Sequence, residues 1–192
     1  MIDSESLNKI LRPRTLTMRI LWTAMVLTVL LFVFLTYILT GQNRLEPVPV
    51  QNELRMVFYA IAVIAPVAAY FLRRRILSSE RLQSASNTED GLQALATDFR
   101  TEVTDEAKLA EIKKLSPLEL KAIAISVPYF TALLLSLALH EVVAICGMML
   151  SMLELRFEAI LPFAAVAIVL DLMIYPRLDK FIEQNAVPAP RF

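Results

Sequence analysis

His140, Glu141 and Asp171 are ionisable side chains set inside long apolar stretches of a 192-residue chain that is 57% apolar and carries no net charge. A charged group deep in a bilayer costs on the order of 3 kcal/mol even on the lenient insertion scale, so such residues are functional candidates by default. The chemistry open to them is holding and passing protons or binding a small cation. Glu141 and Asp171 each lie fifteen residues from Arg156, one on either side. If the two stretches are helices folded back at residues 154–158, that spacing places both acids at one depth. A rise of about 1.5 Å per residue over the dozen residues from Glu141 to Leu153 gives roughly 18 Å, near the middle of a hydrocarbon core about 30 Å thick.

Adjacent helix residues point about 100° apart, so His140 and Glu141 cannot share one face. His140 falls on a stripe with Ser136, Ala144, Gly147 and Ser151, small residues of the kind through which membrane helices approach closely. Two roles are open to His140: a hydrogen bond to a neighbouring helix, or a proton relay with Glu141. Glu141 shares its own face with Leu134, Leu137, Ala138, Ile145 and Met148. Desolvation disfavours the charged form there, so a neutral, proton-loaded acid is the expected resting state. If Asp171 points towards Glu141, the two share a proton and titrate as a pair. The alternative is that Asp171, near Tyr175 and Arg177, snorkels or bonds within its own helix.

Other chemistries lack their residues. Cys146 is the only cysteine and lies within the third apolar stretch, which removes a disulfide framework and a cysteine metal site. Haem ligation would need a ligand beyond the single histidine, and neither a cofactor nor a metal is expected. No phosphate-cradling glycine loop, HExxH or GxSxG occurs, so no enzyme activity is expected. Mixed-sign charges argue against a nucleic-acid surface.

The elements that position these residues are four apolar segments, Ile20 to Thr40, Met56 to Leu72, Ala122 to Leu153 and Ala159 to Pro176. The first is free of charge for twenty-one residues, a full spanning length, and is too long for the core of a cleavable signal. The fold class is therefore all-α, a polytopic membrane protein with four transmembrane helices as two tandem hairpins. The expected organisation is a leader at 1–19, a first hairpin at 20–77, a linker at 78–116, a second hairpin at 117–182 and a tail at 183–192. Lys9, Arg12, Arg14 and Arg19 precede the first span, Arg73, Arg74 and Arg75 follow the second, and Arg177 and Lys180 follow the fourth. The cytoplasmic side carries the excess of such residues, so both termini are expected to be cytoplasmic in a bacterial inner membrane.

Within this plan, Pro13 limits a short interfacial helix in the leader. The loop from Gly41 to Glu53 reads as an extended external connection. In the linker, Thr104 caps a helical piece from Asp105 to Leu115. Ser116-Pro117-Leu118-Glu119 is a strong helix start, and Pro66, Pro128 and Pro162 are expected kinks. The halves also read as parallel repeats in hydropathy. Matching the long spans brings Glu141 near Leu27 or Thr28 and Asp171 near Pro66, so only the second hairpin carries acids.

The run Ala132-Leu133-Leu134-Leu135-Ser136-Leu137-Ala138-Leu139-His140-Glu141-Val142-Val143-Ala144-Ile145-Cys146-Gly147-Met148-Met149-Leu150 resembles the ion-carrying helix of proteolipid c subunits of rotary ATP synthases and their bacterial c-like relatives. There, small and apolar residues lead to a membrane Glu followed by a pattern like Ala-Ile-Tyr-Gly-Leu, which Glu141, Ala144, Ile145 and Gly147 fit. The resemblance implies that Glu141 is a proton or sodium site. The functional expectation is a non-catalytic subunit of a larger membrane assembly with a protonatable Glu141. The alternative is a proton- or sodium-translocating component using Glu141 and Asp171. Expected partners are the lipid bilayer, and other membrane subunits or a second copy of the chain.

Overall fold

The computed structural model describes residues 5–41, 51–78, 80, 82 and 117–186, and every regular element among them is helical. In chain order these are α1 (Glu5–Gly41), α2 (Asn52–Ile76), α3 (Pro117–Glu154), a 3-10 turn (Phe157–Ala159), α4 (Leu161–Met173) and α5 (Leu178–Ala186). Three helices, α1, α2 and α3, are long and apolar enough to cross a membrane, and a fourth span exists if the bent pair α4 and α5 is counted as one. Residues 42–50 of the expected external loop and 83–116 of the expected linker, with its helix Asp105–Leu115, lie outside the described residues, as do residues 187–192 of the expected tail, whose first residues, 183–186, instead end α5.

The expected leader is continuous with the first span, because α1 runs through Pro13 without a break. One lost backbone hydrogen bond in a helix of 37 residues is outweighed by propagation on either side. Helices α2 and α3 likewise continue through Pro66 and Pro128. Pro162 behaves differently from the expected kink. It stands in the first turn of α4, where a missing N–H leaves nothing unsatisfied, so it starts the helix instead of bending it. The expected fourth span is also shorter than its apolar run. Helix α4 has 13 residues, about 20 Å at the standard rise, bounded by the 3-10 turn and by Pro176, which disfavours helix at the residue before it.

The reversal between α3 and α4 is tight. Leu155 takes a left-handed conformation with φ of 51°, and the Arg156 N–H donates to the Ser151 carbonyl at 3.1 Å, the closure usually made with glycine. A leucine there costs roughly 1 kcal/mol. Ser151 offsets part of that cost, since its hydroxyl donates to the Arg156 carbonyl at 2.9 Å. Arg55 in the first turn of α2 donates from Nε to Glu154 Oε1 at 2.6 Å, tying α2 to the same end of α3.

Two compact units divide the chain, and their boundaries fall within α1, α2 and α3: one unit is Met1–Met18, Arg74–Ala132 and Pro176–Phe192, the other Arg19–Arg73 and Leu133–Tyr175. The core of the second unit is built from Val29 of α1, Phe58 and Ala65 of α2, Val143, Ala144, Cys146 and Leu150 of α3, and Phe163, Ala164 and Ala167 of α4. Gly147 sets the closest approach. A Cβ placed on it would stand 2.5 Å from the Cβ of Phe163, whose ring stacks on Tyr59 with centroids 5.3 Å apart. The opposite faces of α1 and α2 expose large apolar side chains, among them Leu27, Leu31, Phe34, Ile64, Val67 and Phe71. In the first unit the buried side chains include Leu11 and Met18 of α1, Ile123, Ile125 and Tyr129 of α3, and Leu178 and Ile182 of α5.

The Gly147 contact is testable. Gly147→Ala should destabilise the protein by about 1–3 kcal/mol, because the obstructing atom is a Cβ that only backbone movement can displace. Gly41→Ala, with nothing within 4 Å of the added carbon, should be neutral or slightly stabilising. Thermal unfolding of the detergent-solubilised protein reads both.

Candidate proton or cation site

Buried positions on α3 recur at alternating steps of four and three residues, at Leu133, Leu137, His140, Ala144, Gly147 and Ser151, with Ser136, Val143 and Leu150 beside them. On α4 and its flanks the same period gives Ile160, Phe163, Ala164, Ala167, Asp171 and Ile174. This is the pattern of helices packed along a seam. His140 therefore faces inward, and so does Asp171, one turn beyond Ala167. Small residues in the seam bring the helices close enough for the two to touch. His140 Nδ1 and Asp171 Oδ1 are 2.9 Å apart, with the side chains only 4% and 2% exposed.

A third helix completes the site. The Trp22 indole N–H of α1 donates to the backbone carbonyl of Asp171 at 2.8 Å, and the Trp22 ring meets Tyr175 edge-on with centroids 5.0 Å apart. Asp171 lies in the last turn of α4, where its carbonyl also accepts the Ile174 N–H at 3.2 Å in a tightened closing turn. Trp22 adds a second donor to that oxygen. Its side chain was not among the sequence candidates, although a lone tryptophan in a charge-free span has an N–H that must find an acceptor.

The pairing differs in partner from the one that equal distances from Arg156 suggest. Distance along the chain sets depth, whereas the buried seam sets direction, and Glu141 is turned about 100° away from His140. Glu141 is half-buried, lies within electrostatic range of Asp171, and makes no hydrogen bond or ion pair among the described residues. Of the small-residue stripe, Ser136, Ala144, Gly147 and Ser151 are all buried. Ser151 closes the turn and Gly147 receives Phe163.

Burial restricts what the pair can do. A neutral imidazole beside a protonated acid, and an imidazolium beside a carboxylate, contain the same protons and the same zero net charge. The two forms interconvert by a shift along one hydrogen bond. Adding or removing a proton leaves an uncompensated charge where that costs several kcal/mol. The pair thus suits proton transfer better than storage of two charges. Its bond at Nδ1 leaves Nε2 as the imidazole nitrogen open to a second partner. Among the described residues no group of three or more His, Cys, Asp or Glu side chains is placed to hold a metal ion.

No family model, curated protein or solved structure matches this chain.

Removing one member of the buried pair should cost more than removing both. Asp171→Leu is expected to destabilise by about 3 kcal/mol, while His140→Leu combined with Asp171→Leu should cost less, because no polar group is left alone in the seam. A double-mutant cycle on unfolding midpoints in detergent measures the difference.

Proposed function

We propose that this protein is a multi-pass protein of a bacterial cytoplasmic membrane that works as a non-catalytic subunit of a larger membrane assembly and carries a protonatable site at Glu141, His140 and Asp171. The observation that carries this reading is the buried His140–Asp171 pair at 2.9 Å, with Glu141 half-buried beside it. In this reading α1, α2, α3 and the α4–α5 pair are four spans in two tandem hairpins. Both termini are cytoplasmic, as the Arg and Lys residues at 9–19, 73–75 and 177–180 suggest. The apolar side chains on the outer faces of α1 and α2 meet lipid or a partner subunit.

A second reading is supported by the closeness of Glu141 to the pair. In it Glu141 and Asp171 carry a proton or sodium ion, with His140 as a relay where the ion is a proton, and the protein is a translocating component similar to a proteolipid c subunit. Both readings keep Glu141 neutral at rest.

They separate on one variant. Glu141→Gln mimics the protonated acid, so in the subunit reading it should copurify with the same partners as wild type and leave proton flux into reconstituted vesicles unchanged. Loss of flux in that variant, with sodium protecting Glu141 from a carbodiimide that labels protonated carboxyls, would establish the translocating reading instead. Tags at the two termini that prove accessible from the periplasm would overturn the proposed orientation.

A further inference from the structure

We propose that Arg14 forms an anion site for the phosphate of an acidic phospholipid headgroup. The inference rests on the membrane reading, because depth selects the ligand. Arg14 of α1 is partly buried, and its Nη1 donates to Ser126 Oγ of α3 at 2.7 Å. That hydroxyl hydrogen is already committed, donating to the Ile123 carbonyl at 2.6 Å. Ser126 is therefore a neutral acceptor that aims the guanidinium without balancing its charge.

A guanidinium offers five N–H donors in a planar fork. One is engaged with Ser126, and no carboxylate among the described residues pairs with the rest. Asp179 and Glu183 of α5 are solvent-exposed and do not bond to it. Partly buried charges are ordinarily compensated by an opposite charge. The guanidinium thus has donors to spare and no anionic acceptor among the described residues, which is the complement of a phosphate.

More positive charge belongs to the same unit. Arg177 and Lys180 are exposed around the start of α5. The Tyr129 hydroxyl, one turn along α3 from Ser126, accepts the backbone N–H of Arg177 at 3.0 Å, and its ring packs on Phe181 with centroids 4.7 Å apart. These contacts hold the basic start of α5 within a turn of the Ser126 level of α3.

Depth identifies the source of the phosphate. The charge-free run Ile20–Thr40, twenty-one residues long, spans about 31 Å and fills the hydrocarbon core. Arg14 precedes it by six residues, roughly 9 Å, which is the headgroup layer where lipid phosphates lie.

The test is thermal unfolding of the full chain in a neutral sugar detergent, titrated with phosphatidylglycerol, phosphatidylcholine or inorganic phosphate. Phosphatidylglycerol should raise the midpoint saturably and phosphatidylcholine should do so weakly. Arg14→Gln should raise the half-saturating lipid concentration at least tenfold. Arg12→Gln, which removes the same charge from an exposed neighbour, should change it less than twofold. Equal losses in the two variants, or no loss in Arg14→Gln, overturn the site. A shift from inorganic phosphate as large as that from the lipid keeps the anion site and overturns the lipid as its occupant. Arg14→Lys keeps the charge without the fork and provides a milder variant if Gln does not fold. It should weaken binding about threefold, and unchanged binding overturns the geometry. Extraction of the protein from membranes by alkaline carbonate would fail the membrane reading separately, leaving the phosphate arm to decide on Arg14.

Discussion

In an apolar seam a carboxyl group persists only if it is neutral or paired, and the position of Asp171 on the inward stripe of α4 makes that condition govern the helices around it. Its partner is a histidine on α3, so α3 and α4 must run close enough for a 2.9 Å contact. Such closeness is available only where side chains are small. Ala144 and Gly147 on one helix and Ala164 and Ala167 on the other provide the space, and at Gly147 the fit over Phe163 leaves no room for a methyl group. The approach in turn requires a short reversal, which is why a leucine in a left-handed conformation is tolerated at residue 155 with the Ser151 hydroxyl bridging the turn.

The shortness of α4 belongs to the same arrangement. At the end of α4 the carbonyls of Leu170, Asp171 and Leu172 accept the N–H groups of Ile174 and Tyr175 at 3.2–3.4 Å, in apolar surroundings where an unpaired carbonyl would be costly. The Asp171 carbonyl accepts the Trp22 indole N–H as well, and the ring of Tyr175 steadies that indole. The residue that carries the acid is thus fixed twice, through its side chain by α3 and through its backbone by α1. A residue held through both its side chain and its backbone has little freedom to turn away from His140.

Much of this was legible in the sequence, and the gaps have physical causes. Long apolar runs and the Ser116-Pro117 start place α2, α3 and the end of α1 to within a few residues, because length and capping are local properties, whereas α1 begins at Glu5, fifteen residues before its apolar run. The acids were visible as charges in apolar runs. Their partners were harder to read. Equal spacing from Arg156 aligned Glu141 with Asp171 by depth alone, while the decisive variable was rotation about the helix axis. The period-3 and period-4 run of Ala164, Ala167 and Asp171 holds that information, and so does the stripe through His140. Pro162 illustrates the opposite limit. A proline inside an apolar run reads as a kink, and only the position of the preceding turn shows that it begins a helix. Trp22 could be found as a donor in need of an acceptor, but its acceptor is a backbone carbonyl 149 residues away in the chain, which no pattern of side chains records.

The three ionisable groups of the candidate site differ in access, and the difference bears on function. If all three served only to join helices, each would be expected on a buried seam with a partner. His140 and Asp171 are so placed. Glu141 is not: it is half-buried, unpartnered among the described residues, and one position along from the pair. A group that exchanges a proton with its surroundings needs both access to them and a neighbour able to receive the proton. A sealed His–Asp pair alone has the second property without the first. Glu141 has the first without a hydrogen-bonded neighbour, so the two requirements are divided between adjacent positions of one helix.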